Sequence, residues 1–374
     1  MRLIAVGVNQ SSAPLALRER LSSAAAGVHL HAALGALRSH VPEGFILSTC
    51  SRTEIYAYAP AAADPVALLS EVLGSADAFD RSELRHACYV HTGEDAARHA
   101  LRVTSGLESI VLGEDQIHAQ MKKALACARE ACALGPVTER VGAAALSCSK
   151  RVRTHTGLSR HGVSLESLAV RTAEDTFAAH KLTRKHVLVI GAGESAAIIL
   201  KRLKGSGATD VTVVSRTQAR AQELALAHGV RARGADHAAE LADALIDADV
   251  VFCCTSAPHP VVTPELLAPR KNARGDAPLV CVDLGMPRDV HADVARDGAQ
   301  VISLESLSAK ADAHRASRRE HVPAAEAIVA RETARFTEWL VNRAARHVIA
   351  GSTPLLEQLR HDTDGLNVLE NTAS

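Results

Sequence analysis

The chain is 374 residues long, enough for two or three domains with separate cores, and its 42 Lys and Arg residues balance 42 Asp and Glu. A neutral total excludes capture of a nucleic acid by overall attraction and leaves only local basic patches, and an aromatic content of 2% argues against a single-strand reader that stacks successive bases. The eight cysteines, at 50, 88, 127, 132, 148, 253, 254 and 281, form no Cys-x-x-Cys pair, so neither a disulfide framework nor a metal site is expected.

Met1 leads directly into a strand at residues 2–8, without a leader pattern, and no run of about 18 apolar residues follows anywhere, so no membrane span and a cytoplasmic location are expected. Further strands are predicted at 45–47 and 54–59, within a mixed α+β unit over 1–157. Thr92, with Asp95 three residues on, reads as the cap of an amphipathic helix through Val103, which Ser105-Gly106 interrupts. A helix over 114–134 stops at Gly135-Pro136 and carries Gln116 and Gln120 on one face.

From residue 164 the pattern changes to a helix, a buried strand at 186–190, a glycine turn, a helix to 204 and a strand at 211–215. Apolar runs at 250–255, 279–283 and 300–304 alternate with helical segments, which predicts a doubly wound parallel sheet over 158–305. Residues 306–343 read as helical. Val322, Ala325, Ile328, Val329, Phe336, Trp339 and Leu340 form one apolar stripe, Pro323 is placed to bend the helix, and a polar tail from about 351 is expected to be loosely ordered. The pattern leaves two uses for the stripe open: packing on its own protein, or a dimer seam.

Two motifs carry chemistry. Gly191-Ala192-Gly193-Glu194-Ser195-Ala196 follows a strand and opens a helix, as a dinucleotide loop must: Gly191 for the turn, Gly193 for close approach of the pyrophosphate, Ala196 for helix packing. At the end of the next strand, where an acidic residue would bind a ribose 2′-hydroxyl, stand Ser215, Arg216 and Thr217, which suit a 2′-phosphate and favour NADPH over NADH. The second motif is Ser48-Thr49-Cys50-Ser51-Arg52-Thr53-Glu54-Ile55-Tyr56. If strand geometry persists, Arg52 shares a face with Cys50, where it would lower the thiol pKa or bind a substrate carboxylate. A thiol that can hold an acyl group, in one chain with a hydride-donor site, points to reduction of an activated carboxylate through a thioester.

These residues resemble the glutamyl-tRNA reductases, which begin tetrapyrrole synthesis from glutamate. The likeness rests on Ser11-Ser12-Ala13-Pro14-Leu15, the Ser-Thr-Cys run, the segment from Ser105 to Glu114, the glycine loop, Ser215-Arg216-Thr217, and the run from Val282 to Val290. The resemblance implies an α/β multidomain enzyme: an α+β catalytic domain at 1–157, a Rossmann-like NADPH domain at 158–305, and a long helix with a helical dimerisation domain at 306–374. It implies that Cys50 displaces the tRNA of glutamyl-tRNA(Glu) to give a thioester, that NADPH reduces this to glutamate-1-semialdehyde, and that His99 is needed for activity. Thr49, Ser51, Arg52, Ser109, Glu114, Asp115, Gln116 and Gln120 match positions lining the glutamyl pocket. A homodimer and a glutamate-1-semialdehyde aminotransferase partner are expected with it, and no DNA or membrane.

The chain departs from the family pattern at Ser51, where Asn is usual, at Gln10 for His, and at Asp115 for Pro, and its C-terminal region is short. Basic clusters at Lys122-Lys123, Lys150 to Arg153, Arg160-His161, Lys181 to Lys185 and Arg318-Arg319 are candidate phosphate contacts, Lys150 to Arg153 first. Two other readings stand beside this one: a small-molecule NADP oxidoreductase, which leaves the Cys50 run unexplained, and a non-catalytic relative that binds tRNA or NADPH without turnover.

Overall fold

The computed structural model describes residues 1–74, 79–158, 164–177, 182–314 and 319–370. Arg160-His161, Lys181, Arg318 and residues 371–374 lie outside them. The chain opens with β1 (Arg2–Asn9), α1 (Leu15–Ala24), α2 (Gly27–His40), β2 (Glu43–Ser48), β3 (Arg52–Ala59), α3 (Pro65–Leu73), α4 (Arg81–Ala87) and β4 (Tyr89–Thr92). Then follow α5 (Glu94–Thr104), α6 (Gln116–Glu130) and α7 (Pro136–His155). The four strands form one antiparallel sheet in the order β2-β3-β1-β4. Consecutive residues of β1, β2 and β3 are buried, so these strands do not alternate core and solvent; helices cover both faces. Thr92 belongs to β4 and does not cap α5. The cap position is Gly93, whose φ of 58° lets the chain turn from strand to helix.

The second half runs α8 (Leu165–Glu174), β5 (His186–Ile190), α9 (Glu194–Gly205), β6 (Asp210–Ser215), α10 (Gln218–His228), β7 (Arg231–Gly234), α11 (Ala238–Ile246), β8 (Val250–Cys253), α12 (Pro264–Arg274), β9 (Val280–Asp283), β10 (Gln300–Ile302) and α13 (Leu304–His314). Its six parallel strands take the order β10-β9-β8-β5-β6-β7. The strand order reverses between β5 and β8, which opens a crevice at their carboxyl ends. Val187 and Val189 pack on one side of the sheet and Leu188 and Ile190 on the other, because successive strand side chains point to opposite faces.

The last helix, α14 (Val322–Glu370), differs from the sequence expectation in two ways. Pro323 occupies its first turn, where a missing N–H costs nothing, so it starts the helix and does not bend it. The segment from 351 continues as helix to Glu370 where a loose tail was expected. The apolar stripe has an answer within the chain: Ala325, Ile328, Val329 and Phe336 are buried in the core shared with the first sheet, against α5 and α7. Among the described residues no helix is long and apolar enough to cross a membrane.

Candidate active site

The connection from β2 to β3 is the three residues Thr49, Cys50 and Ser51. Thr49 closes it: its N–H donates to the Arg52 carbonyl at 2.8 Å, and its Oγ1 accepts from the N–H groups of Ser51 (3.2 Å) and Arg52 (3.3 Å). The Ser51 carbonyl accepts from Gln10 N–H at 3.1 Å, tying the turn to the loop after β1. Cys50 therefore sits at the tip of a tight, internally bonded turn. Its half-buried side chain packs on the apolar cluster of the parallel-sheet half, to which Cys254 and Met286 also contribute and which includes Ile110, Val111 and Leu168.

The expectation that Arg52 activates this thiol is corrected by the structure. Burial, with the carboxylates of Glu114 and Glu166 adding to it, pushes the Cys50 thiol up to about 12, and the opposing positive charge comes from Arg18. Arg52 is committed elsewhere. Its Nη1 donates to Glu54 Oε1 at 2.8 Å and its Nη2 to the Glu108 carbonyl.

Glu54, part of the Cys50 run but given no role there, is the hub of the first sheet. Its carboxylate is wholly buried and accepts from Arg52, from Tyr56 OH (2.6 Å) and from Tyr89 OH, and lies 2.9 Å from His99 Nε2. Burial acts to raise its pKa, but the charges of Arg52 and His99 and the hydrogen bonds from His99 and Tyr56 outweigh it and hold the carboxyl far below the usual range. Space for it comes from Gly7, its register partner on β1: a Cβ there would lie 2.8 Å from the Glu54 Cα and Cγ. Arg52, Glu54 and Tyr56 alternate along one strand face, which sets the acid beside the arginine once β3 is formed.

His99 is buried on α5 and joined to Arg52 through Glu54. Its ring lies on that of His91, with centroids 4.4 Å apart, and meets the Tyr89 ring edge-on at 5.2 Å. Of the other predicted pocket residues, Thr49, Ser51 and Ser109 are buried, Gln116 donates through Nε2 to Glu166, and the exposed Asp115 pairs with Arg153 at 3.6 Å. Glu114 reaches Cys50 through its charge, and Gln120 lies half-buried one turn after Gln116. A cavity of about 450 Å³ opens beside Ser51 and Arg52, between Gln10, Glu108 and the start of α14.

At the reversal point of the parallel sheet, a second cavity of about 230 Å³ is lined by Gly191, Ala192, Gly193, Ser215 and Arg216. Gly191 has φ of 120° and lies so near Cys254 that a Cβ would approach its carbonyl oxygen to 2.7 Å, so only glycine fits. Gly193 leads directly into α9, whose first turn carries the exposed Glu194 and the half-buried Ser195 and whose Ala196 packs into the core. Thr217 precedes α10 and is exposed. The same cavity gains Arg220 and the segment Thr255-Ser256-Ala257, which the motif did not include. Among the described residues neither Arg216 nor Arg220 forms an ion pair, and both guanidinium groups line this cavity near the start of α10. Among the described residues no cluster of three His, Cys, Asp or Glu could hold a metal.

A parallel-sheet crevice with a glycine turn at a helix N-terminus defines a nicotinamide-dependent oxidoreductase, here carrying a second unit with a thiol at the junction. Comparison with known proteins gives the family. The model of the glutamyl-tRNAGlu reductase N-terminal domain matches residues 6–156, and that of shikimate / quinate 5-dehydrogenase matches 171–309. The chain is 38% identical over 361 residues to a glutamyl-tRNA reductase of Roseiflexus castenholzii, covering 96% of this chain and 83% of the relative. It is 38% identical over 341 residues to that of Deinococcus radiodurans, covering 91% and 93%. Among solved structures, it is similar to glutamyl-tRNA reductase from Methanopyrus kandleri, with 31% identity, a TM-score of 0.50, and coverage of 93% of this chain and 82% of that one. The chain belongs to the glutamyl-tRNA reductase family.

Proposed function

We propose that the protein reduces glutamyl-tRNA(Glu) to glutamate-1-semialdehyde with NADPH, the first step of tetrapyrrole synthesis from glutamate, through a thioester on Cys50. The observation that carries this reading is the position of Cys50: a thiol on a tight turn of one unit, packed on the core of the unit that forms the nucleotide cavity. An acyl group held there lies where the second unit can serve it.

In this reading Cys50 Sγ attacks the glutamyl ester carbonyl, the C–O bond to the tRNA 3′-oxygen breaks, and that oxygen leaves with the thiol proton. When bound, the cofactor supplies a hydride to the thioester carbonyl. The carbon–sulfur bond then breaks to release the aldehyde, and the thiolate takes a proton from solvent to restore the thiol. Arg52, fixed by Glu54 at the edge of the larger cavity, takes the substrate's side-chain carboxylate with the N–H groups left over from its bonds to Glu54 and Glu108. His99 keeps Glu54 charged, and so keeps Arg52 in place. Thr49 and Ser51 shape the turn, and Ser109, Glu114, Asp115, Gln116 and Gln120 surround it.

Arg216, Ser215 and Thr217 recognise the ribose 2′-phosphate, with Arg220 beside them, and Gly191 to Ala196 hold the pyrophosphate. Within the basic run at 150–153, Arg151 pairs with Glu332 and Arg153 with Asp115, which leaves the exposed Lys150 for a tRNA phosphate. The three-part division at 157 and 305, a homodimer, a cytoplasmic setting and hand-over of the aldehyde to an aminotransferase belong to the same reading.

The test is NADPH oxidation by the purified protein with glutamyl-tRNA, against free glutamate, uncharged tRNA and a Cys50→Ser variant. Semialdehyde should form only with charged tRNA and an intact Cys50. Oxidation that ignores tRNA would make the protein a small-molecule oxidoreductase, and cofactor binding without product would make it a non-catalytic relative.

A further inference from the structure

The loop that follows β8 is held at both ends by one residue. At its start, Thr255 N–H donates to Asp289 Oδ2 at 2.7 Å and Thr255 Oγ1 donates to Asp289 Oδ1. At its end, the N–H groups of Val261 and Val262 both donate to the Asp289 main-chain carbonyl, at 2.7 and 2.9 Å. Asp289 has no solvent exposure, and it is anchored in turn: Asp289 N–H and Val290 N–H donate to the Asp283 carboxylate at 3.1 and 2.9 Å. Room for this buried carboxyl is left by Gly285, where a Cβ would meet Asp289 Oδ2 at 2.6 Å.

Thr255, Ser256, Ala257 and Val261 of this loop line the nucleotide cavity, on the opposite side from Ser215 and Arg216. The sheet order settles which half of a dinucleotide each side meets. Ser215 and Arg216 end β6, the loop follows β8, and β5 with its glycine turn lies between them. A dinucleotide in such a crevice puts its pyrophosphate at the glycine turn, its adenosine ribose beside the strand after it, and its nicotinamide across the reversal point.

We propose that Asp289 is a positioning residue for the nicotinamide half of the cofactor, fixing both ends of the 255–261 loop and with them the wall against which the nicotinamide ribose and ring lie. The inference rests on the reading of this cavity as the nicotinamide dinucleotide site and is independent of the tRNA. Neither Asp289 nor Asp283 lies in the glycine loop or the Cys50 turn. Their burial costs free energy that these hydrogen bonds, with one from Gly285 N–H to Asp283 Oδ1 at 3.0 Å, offset, so the loop is held in one geometry by two desolvated carboxyls.

The test compares binding of whole cofactor and adenosine-side fragment to the full chain: NADPH against 2′-phospho-ADP-ribose, and NADH against ADP-ribose. Asp289→Ala and Thr255→Val should each raise the Kd of the dinucleotide about tenfold, the loss of a buried hydrogen bond, and leave the fragment within about twofold. Thr255→Ser, which keeps the hydroxyl, should restore it. Should Asp289→Ala fail to fold, Thr255→Val carries the same comparison. An unchanged dinucleotide Kd, or equal weakening of dinucleotide and fragment, overturns the inference while leaving the cofactor site standing. A wild-type chain that binds neither dinucleotide overturns the site reading and this inference with it.

Discussion

Glu19 and Arg288, 269 positions apart in the sequence, are joined by three hydrogen bonds: Glu19 Oε1 accepts from Arg288 N (2.9 Å) and Nε (2.7 Å), and Oε2 accepts from Nη2 (2.8 Å). Beside it, Arg18 reaches Glu305 at 2.9 Å. Two adjacent residues of α1 thus tie the first unit to the parallel-sheet half. Glu19 is lowered in pKa despite burial because Arg288 donates to it and faces it with a positive charge.

Arg288→Ala should loosen this contact. Charge-assisted hydrogen bonds of this kind contribute about 1.5–3 kcal/mol, less here because the Arg288 side chain is partly exposed. The expected result is a several-fold fall in the rate of NADPH-dependent reduction, narrowing at high salt as the wild-type contact is itself screened, with transfer of labelled glutamate from tRNA to Cys50 unchanged. Equal loss of both steps would show that the contact serves the acyl site itself.

Glu54→Ala leaves Arg52 and His99 buried without their shared acceptor. Breaking a buried pair in this way costs about 3–5 kcal/mol, which a urea titration would read directly. Since the folded pKa of Glu54 lies below its ordinary value of 4.5, the wild-type protein holds this stabilisation in full above that pH and loses it as pH falls toward the folded pKa. The variant should show a flatter stability profile on the acid side. A profile parallel to wild type would exclude Glu54 as the source.

The Cys50 thiol, pushed up to about 12, should be a poor nucleophile in the free protein. Alkylation by iodoacetamide at neutral pH is expected to be slower than for an ordinary thiol by a factor of about 10³, and to rise about tenfold per pH unit until the protein unfolds. A rate that levels off near pH 8 would mean that a neighbouring cation activates the thiol before substrate binds.

Arg216→Glu should reverse the cofactor preference. Loss of a guanidinium and gain of a carboxylate beside a 2′-phosphate should raise the Kd for NADPH about 100-fold, with little change for NADH. Arg220→Ala should act in the same direction by about tenfold. Equal affinity of the wild type for NADPH and NADH would remove the 2′-phosphate from the reading.

The sequence by itself determined the elements whose signals are local. The strand at 186–190, the glycine turn after it and the later apolar runs are legible because period, strand length and the need for glycine at positive φ act within a few residues. The Ser-Thr-Cys run marked a thiol at the end of a strand for the same reason. What only the tertiary structure decided depends on groups brought together from distant parts of the chain. The partner of Arg52 was near in sequence, but its choice of Glu54 over Cys50 follows from the pleat of β3 and the space left by Gly7 on β1. The use of the α14 stripe was open until α5 and α7 were found against it. The pairing of Glu19 with Arg288, and of Asp289 with Thr255, has no local signal at all. Charges and hydrogen-bond donors carry no period, and which of them meet is fixed by packing, where an unpaired buried group costs more than any local preference can offset.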